Sequence, residues 1–355
     1  MPTRRHLLRA AALLPLPAGP LQAGERRADP DEGRADWHRF RDRFLAPEGR
    51  IVDTGNGGIS HSEGQGLGLL LAAHGDDREG FDRIREWTRR TLRLPSGLHA
   101  WRFRPGAANP VSDRNNATDG DLYIAWGLLT GARRWRRAEA QAEAVATAQA
   151  VLRLNVRRAG RLAVLLPGRQ GFERGGTLVV NPSYYVFPAL RALAGAAPDP
   201  GWLTLTADGL TLLRRARFGR WGLPPDWLAL APDGTVRPAE GWPARFSYDA
   251  VRVPLFLTWA GLRQEPPAIA AAAFWQAMPQ AAPPAWASLT DDSISHYSAT
   301  PGIMAVSRLV RAQMEQVETA LQLPPVSIQE DYYSASLTCL ARLARREGST
   351  GQPVP

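Results

Sequence analysis

Apolar residues recur along this chain at the three-and-four spacing of helices far more often than at the alternating spacing of strands. Phe81, Ile84, Trp87 and Thr91 line one face of a segment whose first turn carries Glu79 and Asp82, where the helix dipole favours acids. The same pattern predicts helices over 63–74, 119–133, 136–154, 183–195, 202–217, 248–263, 266–278, 300–311 and 330–346. Strand signals are few, the best being 162–166 and 177–180, each short and flanked by turn residues. About ten helices joined by Gly/Pro-rich loops predict an all-α fold with short β hairpins in the loops. No composition break divides it, so one domain is expected over 24–346, opening with a polar lead to about Asp36 and followed by a disordered tail at 347–355. Helix pairs of similar length are what a helical toroid produces.

Composition narrows the classes. With 355 residues, 44% hydrophobic and 22% charged, the chain fits neither disorder nor a polytopic membrane protein. Its formal charge of +9 comes entirely from Arg, and the Arg residues are scattered among acids, as in Asp82-Arg83-Ile84-Arg85-Glu86, so nucleic acid is not the expected partner. The amino terminus has the layout of an export signal. Arg4-Arg5 precedes the apolar run 10–17 and a small-residue stretch to Ala23, which predicts a twin-arginine signal peptide over 1–23 and a periplasmic or secreted product. That run is too short for stable membrane insertion. Without the signal, 40 Arg face 34 acids, a balance of +6. The one cysteine, Cys339, has no intrachain partner and is expected as a buried small residue of the last helix. Trp, with 12 residues, outnumbers both Phe and Tyr, at 10 and 7.

Three acid-bearing motifs begin at expected helix starts: Ser60-His-Ser-Glu63-Gly-Gln65-Gly66, Ala117-Thr-Asp119-Gly-Asp121 and Ser247-Tyr-Asp249-Ala-Val-Arg252. Capping explains part of this, since Ser60 with Glu63 matches a capping box, Thr118 with Asp121 nearly does, and Ser247 is a candidate cap. It does not explain the Gly or Ala after each acid, which is expected to leave open space above the carboxylate. Helices arranged in a ring would converge these acids in one cleft. Glycoside hydrolysis needs such a set, a protonated acid, an ionised base and groups that hold a distorted sugar, and flat Trp faces suit sugar rings.

At these residues the chain resembles glycoside hydrolase family 8. Ser62-Glu63-Gly-Gln65-Gly66 looks like the family's acid motif, and Ala117 to Trp135 matches most of its signature. Supporting stretches are 166–172, Asn181-Pro-Ser-Tyr184, Pro225-Asp-Trp227 and 247–252, so the likeness runs from about residue 37 to 343. Within the family it is most similar to the periplasmic endoglucanases encoded with bacterial cellulose synthases. The resemblance implies a single (α/α)6 barrel that hydrolyses β-1,4-glucan with inversion, in functional association with a cellulose synthase. It implies Glu63 as general acid, Asp249 as general base, Asp119 as the residue holding the cleavage-subsite sugar and Arg252 as orienting the base. Tyr184 and Tyr248 would line the same subsite, and Trp101 would be a stacking platform. Related activities on xylan or chitosan are the alternative, and a glycan-binding scaffold without turnover is a different class. Departures from the family pattern at Leu67, Gly127 and Gly131 bear on subsite detail and helix rigidity.

The remaining candidates divide by chemistry. A helix start favours an ionised Asp249 but works against a protonated Glu63, so Glu63 is expected to be raised by nearby negative charge, with Asp119 the candidate, or by desolvation. Asp121 is expected to support the helix start rather than touch substrate. Asp119-Gly-Asp121 has neither a nearby His nor a third spaced acid, so no metal is expected. His61 and His296 are expected to satisfy local structure. Trp87, Trp126, Trp135, Trp259 and Trp275 fall in helical patterns and should be core, whereas Trp101, Trp221 and Trp227 lie in loops and could stack on sugar. Neither a phosphate-cradling loop, nor a dinucleotide fingerprint, nor a Ser-His-Asp order is present, and the reaction needs no cofactor.

Overall fold

The computed structural model describes residues 30–315 and 321–348. The signal peptide expected at 1–23 therefore lies outside the described residues, as does most of the expected tail. Eleven α-helices are described: α1 (Pro30–Phe44), α2 (Ser62–His74), α3 (Arg78–Thr91), α4 (Thr118–Trp135), α5 (Ala138–Asn155), α6 (Phe187–Ala196), α7 (Pro200–Arg215), α8 (Arg252–Trp259), α9 (Pro266–Gln276), α10 (Pro301–Met314) and α11 (Tyr332–Gly348). The polar lead runs into α1, which buries Trp37, Phe40 and Phe44 on one face. At the other end α11 continues through Glu347 and Gly348, in place of the start of the expected disordered tail, and the Trp259 indole donates to Glu347 at 2.7 Å.

The helices form an (α/α)6 barrel. Helices α2, α4, α6, α8, α10 and α11 make the inner ring, with α1, α3, α5, α7 and α9 packed outside it. Burial separates the two sets. All of α8 is buried, and in α2 every residue is buried except Glu63 and His74. Outer α3 instead hides only Gly80, Phe81, Ile84, Trp87 and Thr88 and turns its charges outward, as an amphipathic helix must. The ring closes where α11 meets α2: the Tyr332 hydroxyl lies against Gly64 at one end, and Glu347 pairs with His74 at 3.4 Å at the other.

The inner helices are parallel, with their amino termini at one end. Neighbours α2 and α4 approach closely because glycines face the contact. A Cβ on Gly66 would come within 2.4 Å of the Ile124 nitrogen, one on Gly127 within 2.7 Å of Leu69 Cβ, and one on Gly120 within 2.0 Å of Ser62 Oγ. The glycines after the acids thus serve helix packing, not the open space expected above the carboxylates. Gly131 likewise admits the Phe81 ring, and Leu67 is core, so the departures from the family pattern are packing positions.

Short antiparallel strands decorate the end where the inner helices begin. Ser60–His61 pairs with Arg102–Phe103, Arg245–Phe246 with Ala287–Ser288, and a four-stranded sheet runs Glu173–Arg174, Thr177–Val180, Leu228–Leu230, Val236–Pro238. These strands deliver residues 181–184, 226–227 and 247–249 to the mouth of the barrel. Cys339 is fully buried in α11.

Candidate active site

Two of the three acids sit where the helix starts place them. Glu63 is in the first turn of α2, and Asp119 in the first turn of α4, where its Oδ1 accepts the Gly120 N–H at 2.8 Å. The caps differ from expectation. His61, not Ser60, caps α2: its Nδ1 accepts the Gly64 N–H at 3.1 Å, and its Nε2 faces Asp53 at 3.3 Å. The Thr118 hydroxyl donates to the Leu166 carbonyl, while Asp121 turns inward to His99 and Asn116, as a supporting residue.

Asp249 is the exception. Helix α8 begins only at Arg252, so Asp249 lies on a turn ahead of it and gains nothing from membership of a first helical turn. The turn is tied to Asp226, whose Oδ1 accepts the N–H groups of Ser247, Asp249 and Ala250, while Ser247 donates its hydroxyl to Oδ2 rather than capping the helix. Asp226 is a site residue that sequence reasoning misses; its place in Pro225-Asp-Trp227 is the one signal that could have found it.

One cation joins the acids. The Arg252 guanidinium, 5% exposed, donates from Nη1 to Glu63 at 2.9 Å and from Nη2 to Asp249 at 2.6 Å and Ser183 Oγ at 3.0 Å. Ser183 donates its own hydroxyl to Asn181 Oδ1 at 2.7 Å. Glu63 and Asp249 keep 26% and 31% of their side-chain surface open, whereas Asp119 is 3% exposed. Three carboxyls around one guanidinium would carry excess negative charge if all ionised, so a proton is retained, and it belongs on the most desolvated member. Burial, then the charge of Glu63, pushes Asp119 up to about 7 against the pull of Arg252. Glu63 is thus one of the charges that raise Asp119. Asp249 is also raised, first by desolvation and further by the charge of Glu63, with Arg252 opposing. The downward shift expected from a helix start does not prevail there.

The aromatic residues sort unevenly. The Ser62 N–H donates to the Trp101 carbonyl at 3.0 Å, which sets Trp101 beside Glu63. Its indole is pinned by Asp113 at 2.7 Å and carries the Arg102 guanidinium 4.1 Å from the ring. Tyr184 is half-buried, and burial and the charges of Asp119 and Asp249 hold its hydroxyl neutral. Trp227 stacks with Phe172 and with Trp242, centroids 5.9 and 4.8 Å away, beside Tyr184. Trp221 is no platform, since it packs edge-on against Phe274 with its indole nitrogen buried. Trp87, Trp126, Trp259 and Trp275 are core as expected, and Trp135 is half-buried at the end of α4, donating to Asp76. Exposed Tyr248 heads a string that no sequence motif announces: its hydroxyl meets that of Tyr297 at 3.1 Å, Tyr297 takes the Trp286 indole N–H at 3.1 Å, and Tyr333 donates to the Tyr248 carbonyl at 2.8 Å.

A helical barrel whose mouth holds two accessible carboxyls, a third protonatable one and flanking aromatic rings defines a glycoside hydrolase. The family model described as "Glycosyl hydrolases family 8" matches residues 27–347, and the chain belongs to that family. It is 42% identical over 320 residues to a "Probable endoglucanase" of Novacetimonas hansenii, covering 90% of this chain and 92% of that one. It is 43% identical over 279 residues to an "Endoglucanase" of Cellulomonas uda, covering 77% and 76%. Among solved structures, endo-β-1,4-glucanase CMCax of Acetobacter xylinum superposes with a TM-score of 0.85 at 42% identity, over 90% of this chain and 99% of that one.

Proposed function

We propose that the protein is an exported endo-β-1,4-glucanase that cleaves cellulose-type chains with inversion at the anomeric carbon. The observation that carries the reading is Arg252 held between Glu63 and Asp249. It brings the two accessible carboxyls together at the mouth of the barrel, where a general acid and a general base must both reach one glycosidic bond, and inversion rests on the resemblance. Glu63 donates a proton to the leaving oxygen and Asp249 takes one from the attacking water. Asp119, held protonated up to near neutral pH by burial and the charge of Glu63, holds the sugar at the cleavage subsite. Tyr184 and Tyr248 line that subsite and Trp101 stacks on a neighbouring sugar. The endoglucanase names of relatives above 40% identity favour glucan over xylan or chitosan. Among the described residues no helix is long and apolar enough to cross a membrane. Export, and action beside a cellulose synthase, rest on the resemblance and the Arg4-Arg5 leader.

The test is release of reducing ends from carboxymethyl cellulose, xylan and chitosan, with the anomer of the first product read by NMR. Hydrolysis of the cellulose derivative with an α-anomer product is expected. A β-anomer product, or preference for another polymer, would overturn the assignment. Glu63→Gln should fold and bind oligosaccharide while losing about 10²–10⁴ of kcat; turnover near that of the unaltered enzyme would remove Glu63 from the acid role.

A further inference from the structure

The catalytic pair is supported asymmetrically. Glu63 stands on a buried helix whose own geometry fixes it, but Asp249 stands on a turn that no helix yet organises. What organises it is Asp226, anchored by its own N–H to the Arg245 carbonyl at 2.8 Å. Its Oδ1 collects the N–H groups of Ser247 and Asp249 at 3.1 Å each and of Ala250 at 2.8 Å, and its Oδ2 takes the Ser247 hydroxyl. One carboxylate thereby satisfies three backbone donors on the segment that carries Asp249, which a neutral side chain does less strongly.

The surroundings make its charge consequential. Asp249 is faced by Arg252, Glu63, Asp119, Asn181, Trp227, Tyr184 and Tyr333. Arg252 is the cation among these, and Glu63 already shares it. Asp226 is faced by Asp249, Ser247, Tyr248 and, from α11, Tyr333. Arg245, the basic residue on the adjoining strand, lays its guanidinium over the Trp286 ring at 3.8 Å. Burial, followed by the charge of Asp249, pushes Asp226 up to about 6, so the two acids sense each other.

Resting on the reading of Asp249 as the base, we propose that Asp226 is a positioning residue for it. Asp226 holds the turn that aims Asp249 and, when ionised, strengthens Asp249 as an acceptor of the water's proton. Two substitutions separate these effects. Asp226→Asn keeps an oxygen for the three N–H groups and can donate to Ser247, so the turn stays and the charge goes. Asp226→Ala removes both.

The experiment is the pH profile of kcat and KM on soluble carboxymethyl cellulose for the full chain and both variants, with Asp249→Asn alongside. For Asp226→Asn, kcat should fall about tenfold with KM within about twofold, and the acidic limb should move to lower pH because the ionisation near 6 is gone. Asp226→Ala should lose about 10²-fold or more in kcat. An Asp226→Asn enzyme with kcat and acidic limb unchanged, while Asp249→Asn is inactive, would overturn the proposal alone. An active Asp249→Asn enzyme would instead overturn the reading of Asp249 as the base, and the proposal with it.

Discussion

At the far end of α11, Asp36 is gripped by Arg342 at 2.7 Å and Arg346 at 2.5 Å, with the acid 1% exposed and the arginines 8% and 7%. At the near end, Arg252 is shared by Glu63 and Asp249, which stay about a quarter to a third open. The clusters are ten or more residues apart along the inner helices, about 15–20 Å at 1.5 Å per residue. Their stoichiometry is inverted. Two cations serve one acid in the first, fastening outer α1 to inner α11, and no proton has to move. One cation serves two accessible acids and a buried third in the second, so the site retains a proton and has somewhere to pass it. A buried ion cluster becomes chemistry when acids outnumber arginines and the cluster faces a cleft.

The largest effect is expected at the structural end. Asp36→Ala removes the acid that Arg342 and Arg346 share and should cost about 3–5 kcal/mol of stability, because taking one member out of a buried ion cluster is strongly destabilising. Urea titration would measure it, and kcat per folded molecule should not change. A loss under about 1 kcal/mol would mean that the two clusters are not different in kind.

A smaller and opposite effect is expected at Asp119. Its folded value of about 7 lies above the ordinary carboxylate value of 3.8. The native state therefore keeps a proton that the unfolded chain releases, and stability is lost as pH rises through that window. Asp119→Asn should remove this slope, melting about 2–6 °C above the unaltered protein at pH 8 and close to it at pH 4, while turnover falls about 10²-fold. Scanning calorimetry at the two pH values decides it; a variant less stable at pH 8 would place the retained proton elsewhere. The smallest effect belongs to the open rim. Tyr297→Phe cuts single hydrogen bonds to Tyr248 and Trp286. It should raise KM on oligosaccharides about two- to threefold with Tm and kcat nearly unchanged, and an unchanged KM would exclude the Tyr297 hydroxyl from substrate contact.

Much of the barrel is legible in the amino-acid sequence. The apolar spacing locates ten of the eleven described helices, within a few residues for most. The exception, α1, is a polar segment whose few anchors, Trp37, Phe40 and Phe44, are outnumbered by charges. The helix expected from 183 starts as a short 3₁₀ turn, Pro182–Tyr184, before α6. Glu63, Asp119 and Arg252 stand out in their motifs, since first-turn acids and an Arg three residues after Asp249 are local patterns. Trp286 and Tyr297 do not, because neighbouring hairpin residues reach Tyr248 only after the barrel has closed.

Which segments are helical, and that Glu63 and Asp119 stand at helix starts, follow from local pattern over a turn or two, and the chain carries that information locally. That Asp226 serves Asp249, that the glycines beside the acids are packing contacts and that Asp119 is pushed up to about 7 became fixed only on folding. Those outcomes depend on desolvation and on charges brought within a few ångströms from positions 63, 119, 226, 249 and 252. Electrostatic energy varies with spatial distance and dielectric surroundings, and neither quantity is written in the spacing of residues along a chain.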